Sequence, residues 1–291
     1  MKVLINSNNF HHKNKKGLEL ILNYLNWNYT YNSNLINECD IIISPIVPLN
    51  SKNYPTKKII FGPHFSIYPD NRLLQINNTF KNSVYIQPSE WPIRFWEKYD
   101  FYNKLQASTF SIPFKPLPFP VDTDMFSPNT TADKTHVFVY YKRRNPEELN
   151  YVESFLNAKN IKYRLFDYVK KYEEKDYLSY LQKSKFGIIV DAHESQGFAI
   201  QEALSCNVPL LVWNTQTMNQ EHGSSFSNIP CTTIPYWDER CGEYFYNHNE
   251  LEKTFDLFIS KLETYKPREY ILENLSVEKC SQRFVELIKN I

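Results

Sequence analysis

The chain has 291 residues, 42% of them hydrophobic, which is enough for two domains of ordinary size with separate cores. Its 33 basic and 32 acidic residues give a net charge of +1, and this balance excludes the basic surface typical of nucleic-acid-binding proteins. No apolar run is long enough for a transmembrane segment, although a peripheral contact with a membrane stays open.

The cysteines and the N-terminal segment bear on the compartment. The five cysteines are scattered and never form a C-x-x-C pair, so we expect neither a zinc site nor a disulfide framework. The first residues become polar at Asn6, before the apolar core of a signal peptide could form. We therefore expect a protein of a reducing, cytoplasmic compartment.

In the first part of the chain, apolar strands alternate with amphipathic helices. Strands are predicted at residues 2–6, 40–44, 58–61 and 83–87. Leucines at helical spacing predict a helix after the first strand, and Ser89 with Pro92 predicts the start of another. This alternation is typical of a parallel sheet covered by helices, so the predicted fold class is α/β.

A proline-rich stretch at residues 112–120 interrupts this alternation. It has four prolines in nine residues, which neither a helix nor a central strand accommodates. We interpret it as a stiff connector between two domains. The predicted domains are residues 1–118 and residues 119–291.

The alternation resumes after the connector. Strands are predicted at residues 136–141, 162–166, 186–190 and 208–213. Helices are predicted at residues 146–158 and 176–183, and a last helix with an apolar stripe follows Ser276. The second domain is therefore predicted to hold a parallel sheet of its own.

Two glutamates in this second domain are the strongest functional signal. Glu194 falls in the loop after the strand at 186–190, and Glu202 falls on the helix that follows. Open α/β folds bind ligands at the carboxyl ends of their parallel strands. Both carboxylates can therefore face one crevice.

The run Glu194-x-x-Gly197-Phe198-x-x-x-Glu202 resembles the donor-sugar motif of retaining glycosyltransferases of the GT-B fold, in the group 1 or family 4-like enzymes. The resemblance covers the C-terminal half well and the N-terminal half loosely. Asn207 replaces the Gly that usually follows the helix, and Asn tolerates the left-handed conformation that a helix end needs. The resemblance implies two Rossmann-like parallel-sheet domains facing an inter-domain cleft, the first of them reduced in size. The last helix of such enzymes commonly crosses back to the first domain.

By this resemblance the chain is a retaining, metal-independent, hexosyltransferase-like enzyme. It would move a sugar from a nucleotide-sugar donor to a glycan, glycolipid or glycoprotein acceptor. Glu202 would accept hydrogen bonds from the ribose hydroxyls, and Glu194 would act at the donor sugar near the reacting carbon. The backbone N–H groups of Gln196, Gly197 and Phe198 would bind sugar oxygens or the β-phosphate, since helix N-termini attract anions.

Three basic residues follow the strand at 136–141 and reach the same sheet edge as Glu194. In the resembling enzymes, an Arg and a Lys from this junction hold the donor phosphates. We therefore assign Lys142 and Arg144 to donor binding, with Arg143 as the alternative. A solvated basic turn is the competing interpretation.

Two histidines and a D-x-D sequence complete the candidates. The resemblance implies a catalytic contact with the donor sugar for His64, for which a structural role stays open. His193 is either a donor contact or a loop residue. Asp122 and Asp124 form a D-x-D, the metal-binding motif of the GT-A class. Here it follows the proline-rich stretch instead of an apolar strand, so we expect no metal and no cofactor.

Two other classes of function stay open. Glu194 and Glu202 could be the acid and base of a glycoside hydrolase. Alternatively, the chain could be a non-catalytic relative that keeps the scaffold to bind a sugar or a nucleotide. The sequence does not indicate the base or the sugar of the donor, or the identity of the acceptor.

Overall fold

The computed structural model describes residues 1–46, 49–63, 82–98 and 112–291. The chain divides into two compact units, the first formed by residues 1–120 and 277–291 and the second by residues 121–276. Each unit is built on one sheet, and every pair of neighbouring strands in the described residues is parallel. The α/β class is therefore confirmed.

The described elements follow the predicted alternation. The strands are β1 (Lys2–Ile5), β2 (Asn28–Thr30), β3 (Ile41–Ser44), β4 (Lys58–Phe61), β5 (Ser83–Gln87), β6 (Phe114–Pro116), β7 (His136–Lys142), β8 (Arg164–Asp167), β9 (Ser184–Asp191), β10 (Leu210–Trp213) and β11 (Gly242–Phe245). The helices are α1 (His12–Tyr24), α2 (Glu90–Lys98), α3 (Pro146–Ala158), α4 (Glu174–Leu181), α5 (Phe198–Ser205), α6 (Leu251–Ser260), α7 (Pro267–Asn274) and α8 (Val277–Lys289).

The first unit has the strand order β2-β1-β3-β4-β5-β6. Its central strands are apolar on both faces, as expected where helices cover a parallel sheet. The C-terminal helix α8 packs against α1. Its apolar stripe is confirmed, since Cys280, Phe284 and Ile288 are buried, and the Phe284 ring lies 5.9 Å from that of Trp27.

The proline-rich stretch is more than a connector. Residues 114–116 form β6, which pairs in parallel with β5 at the edge of the first sheet. An edge strand tolerates proline because its outer side needs no N–H donor. Leu117 and Phe119, which follow β6, are buried. The interpretation of this whole stretch as a linker was therefore wrong, since part of it completes the sheet.

The second unit has the strand order β11-β10-β9-β7-β8. Numbered within the unit, this is the doubly wound order 2-1-3-4-5, whose switch point lies between the first and third strands. Here those strands are β7 and β9, and Lys142 at the end of β7 is the register partner of Asp191 at the end of β9. The topology thus places these two residues where such sheets bind ligands.

Membrane-spanning helices are not found in the part of the chain that the structure describes, where each helix is too short or too polar to cross a bilayer.

Candidate functional site at the carboxyl edge of the second sheet

The site begins with an ion pair between Lys142 Nζ and Glu194 Oε1. The two side chains are only 18% and 16% exposed. The backbone of Glu194 is fixed by a hydrogen bond, since its N–H donates to the carbonyl oxygen of Thr232 at 3.0 Å. The Lys142 ammonium also lies 4.8 Å from the centre of the Tyr168 ring, a cation–π distance. The structure thus brings together a predicted cation and a predicted carboxylate.

Both members of this pair are charged at neutral pH. Burial alone would lower the pKa of Lys142, but the negative charge of Glu194 and the hydrogen bond to it outweigh burial and raise that pKa above its usual value. Burial would likewise raise the pKa of Glu194, but the attraction of Lys142 reverses the effect and holds that pKa below its usual value.

Asp191 behaves differently from its neighbour. It is 1% exposed. Burial, reinforced by the charge of Glu194, raises its pKa well above the usual value, although Lys142 opposes this. The two carboxyl groups share a side-chain hydrogen bond. Since an ionised carboxylate has no proton to donate, we assign the donor role to neutral Asp191 and the acceptor role to Glu194.

Replacing Asp191 with Asn will stabilise the protein at neutral pH. The folded-state pKa of Asp191 is raised above the unfolded-state value of 3.8. Below pH 3.8 the carboxyl group is protonated in both states, so folding costs nothing there. Above pH 3.8 the unfolded chain loses this proton more readily than the folded protein, and folding costs free energy. Between 3.8 and the folded-state pKa, the advantage of Asn will therefore grow by about 1.4 kcal/mol per pH unit. Urea unfolding at pH 4 and pH 7.5 measures this difference, and an advantage independent of pH would contradict the assignment.

Arg144 is the main correction to the predicted site. Its guanidinium is fully buried, at 0% exposure. Nε and Nη2 donate to the carboxylate of Glu148 at 2.7 and 2.5 Å. Nη1 donates to the carbonyl oxygens of Asp191 and Trp213 at 3.3 and 3.1 Å. The assignment of Arg144 to donor binding is thus not supported by its position, because this side chain ties together the ends of β9 and β10.

Arg143, the alternative in the basic run, has the exposed guanidinium. Its side chain is 54% exposed, and Nη1 lies 3.2 Å from Glu221 Oε1. The backbone is left-handed at this position, with φ of 52°. A non-Gly residue in this region turns the chain sharply. Arg143 and Arg144 thus point into different surroundings, although they are adjacent in the sequence.

His193 and Glu221 lie beside the ion pair. His193 Nδ1 is 3.4 Å from Glu221 Oε2, and both side chains are 10% exposed. The ring of Phe226 stands edge-on to the imidazole at 5.5 Å. Burial lowers the pKa of His193 to about 4, so the ring is neutral at pH 7. Glu221 was missed by the sequence analysis, because nothing local marks one carboxylate among many in loops.

The helix α5 begins after a glycine in the left-handed conformation. Gly197 precedes the helix with φ of 80°. A Cβ added there would stand 3.7 Å or more from its nearest neighbours, so the conformation and not the available space calls for glycine. The buried Gln196 side chain donates to Gln201 Oε1 at 2.9 Å and therefore braces the helix start. Phe198 is half-buried. Donor contacts of these residues stay predictions.

Glu202 is 5% exposed on α5. Burial raises the pKa of the nearby Tyr172 phenol, the charge of Glu202 adds to the rise, and the charge of Lys142 opposes it. Tyr140, which is buried, has its ring 6.3 Å from that of Tyr172. The charges of Glu202 and Lys142 therefore both act on Tyr172, with opposite effects on its pKa. The tyrosines were missed because aromatic residues are more often part of a core than of a site.

The end of α5 confirms the expectation for Asn207. Its φ is 56°, the left-handed conformation. The N–H of Val208 donates to the carbonyl oxygen of Ala203 at 3.1 Å, which closes the helix end. Lys134 Nζ adds a hydrogen bond to the carbonyl oxygen of Asn207 at 2.9 Å. The departure from glycine is thus accommodated.

The remaining candidates are His64 and the D-x-D sequence. His64 lies outside the described residues. In the D-x-D sequence, Asp122 Oδ1 accepts the N–H of Met125 at 3.1 Å and caps a turn. Across residues 1–46, 49–63, 82–98 and 112–291, no group of three or more His, Cys, Asp or Glu side chains is placed to hold a metal ion. Metal independence stays a prediction.

Comparison with known proteins finds similar folds but no match by sequence. No family model and no curated protein matches the chain. Sucrose-phosphate synthase from Thermosynechococcus elongatus is similar over 99% of this chain and 98% of its own, at 10% identity and a TM-score of 0.58. The lipopolysaccharide outer core galactosyltransferase WaaB is similar over 100% and 99%, at 12% identity and a TM-score of 0.58. The N-terminal domain of Candida albicans trehalose-6-phosphate phosphatase is similar over 95% and 74%, at 13% identity and a TM-score of 0.60.

These likenesses, together with the two parallel sheets, identify the chain as a protein of the GT-B fold. Identities of 10 to 13% show the fold alone, so the chemistry must be argued from the site.

Proposed function

We propose that this chain is a glycosyltransferase that moves a sugar from a nucleotide-sugar donor to a glycan, glycolipid or glycoprotein acceptor. The observation that carries the proposal is the Lys142–Glu194 ion pair at the switch point of the second sheet. Glu202 follows on the next helix, where it is buried. Among the solved structures of the same fold, those named a synthase and a galactosyltransferase support sugar transfer as the class of reaction.

The charges of the site suit this chemistry. Glycosyl transfer builds positive charge at the anomeric carbon and negative charge on the departing diphosphate. Glu194, kept ionised by Lys142, offers a negative charge for the sugar. Lys142 and the exposed Arg143 offer cations for the phosphates without a metal. A retaining, metal-independent and hexosyltransferase-like reaction is therefore our proposal.

A glycoside hydrolase in which Glu194 is the general acid is disfavoured. The general acid of a glycosidase needs a raised pKa so that it carries a proton at neutral pH. The pKa of Glu194 is lowered because Lys142 is paired with it. This carboxylate is therefore poorly suited to protonating a leaving group.

A panel of nucleotide-sugars, screened by thermal shift and then by calorimetry, tests the proposal. We expect one donor class to bind, and its sugar to be transferred to acceptor glycans in the presence of EDTA. Binding to no nucleotide-sugar would contradict the proposal. Binding without any transfer would favour a non-catalytic binding protein. Loss of activity in EDTA that manganese restores would contradict metal independence.

Replacing Glu202 with Gln will weaken donor binding by about 10- to 100-fold, because a charged acceptor for the ribose hydroxyls is lost. Calorimetry with the donor's nucleoside diphosphate and its 2′-deoxy analogue measures the effect. The parent should prefer the ribonucleotide, and the variant should lose most of that preference. A variant that keeps the full preference would show that Glu202 does not bind the ribose.

A further inference from the structure

The charged side chains around His193 form two ion pairs that balance one another. Lys142 is paired with Glu194, and Arg143 with Glu221. Burial raises the pKa of Asp191 well above its usual value, which favours its uncharged form. Each cation assigned to the donor phosphates thus already has a carboxylate counter-ion.

His193 lies among these four charges. Its own loop contributes Glu194, the end of β7 contributes Lys142 and Arg143, and the loop after β10 contributes Glu221. The closest of them is Glu221, whose Oε2 lies 3.4 Å from Nδ1. Burial, reinforced by the two cations, disfavours the imidazolium and lowers the pKa of His193, so the ring is neutral.

The diphosphate of a nucleotide-sugar is doubly negative at neutral pH and has no group that titrates there. Placed beside these two balanced ion pairs, it leaves two negative charges without compensation. We propose that His193 takes up a proton from the solvent when the donor binds, and that Glu221 holds the imidazolium toward the diphosphate. This inference rests on the proposed function of the site.

The charges of a bound diphosphate are strong enough to protonate His193 near neutral pH. A unit charge about 5 Å away, at an effective dielectric constant of about 20, changes a protonation equilibrium by roughly a hundredfold. Two such charges would bring the pKa of His193 from about 4 into the neutral range. Lys142 and Arg143 are already paired with Glu194 and Glu221. They could neutralise the diphosphate only by breaking these ion pairs.

Calorimetry of the nucleotide-sugar at pH 6.5, in MES and in bis-Tris, tests the proposal, because the difference in observed enthalpy between the buffers gives the protons taken up. We expect about 0.5 to 1 proton for the parent. His193→Gln should abolish the uptake, and the exposed His248, changed to Gln, should leave it intact. Glu221→Gln should reduce it, because the imidazolium loses its counter-ion.

The affinity for the nucleotide-sugar should also rise as pH falls, by up to about tenfold per pH unit in the parent, and should change less in His193→Gln. Donor binding without proton uptake, or uptake that persists in His193→Gln, would overturn the inference while leaving the proposed function standing. A parent that binds no nucleotide-sugar would instead overturn both.

Discussion

Replacing Glu194 with Gln will slow sugar transfer by a factor of about 100 to 1,000 while the donor binds at least as tightly as it does to the parent. The variant loses the negative charge beside the reacting carbon but keeps the shape of the side chain. Removal of this charge also leaves Lys142 without its counter-ion, which favours binding of the donor phosphates to Lys142. Turnover at saturating donor, together with a separate dissociation constant from calorimetry, measures the two effects.

Glu243→Gln is a suitable control for this variant. Glu243 lies on β11 and pairs with Lys261 at 3.0 Å, so the same chemical change is made in another ion pair of the same unit. We expect its transfer rate to stay within about twofold of the parent. If Glu194→Gln raised the dissociation constant and left turnover unchanged, Glu194 would be a binding residue without a role in the transition state.

Replacing Arg144 with Met will destabilise the protein by about 3 to 5 kcal/mol, the usual cost of removing one partner of a buried ion pair. The change leaves Glu148 without its counter-ion. It also removes the donor to the carbonyl oxygens of Asp191 and Trp213. Urea unfolding followed by circular dichroism measures the loss.

The adjacent Arg143 provides the matched comparison. Its guanidinium is exposed and its ion pair lies at the surface, so Arg143→Met should change the free energy of unfolding by less than about 1 kcal/mol. It should instead weaken donor binding by about tenfold. The reverse pattern, a stable Arg144→Met that no longer binds the donor, would restore the first assignment.

The sequence determined the elements whose signals are local. Helix α3 runs from Pro146 to Ala158 as predicted, because Asn145 and Glu148 form a capping box around its first turn and proline fits there. Asn207 takes the left-handed conformation because its own side chain tolerates it. Glu194 and Glu202 fall on the predicted loop and helix because strand, loop and helix are adjacent in the chain.

The short strands β2, β6 and β11 were not predicted, and their position explains why. Each has three or four residues and lies at an edge of its sheet. So short a run of residues carries little periodicity, and it becomes a strand because a neighbour already offers unpaired N–H and C=O groups. Proline in β6 even argued against a strand until its edge position was known.

The tertiary structure alone decided the roles within the site. Three successive basic residues look alike in the sequence, yet Lys142 pairs with Glu194, Arg143 reaches Glu221 and Arg144 is buried against Glu148. The contact between His193 and Glu221 likewise joins residues from different loops. Burial and the sign of nearby charges set each pKa and each role, and both depend on residues that are distant in the chain and meet only when the sheet forms.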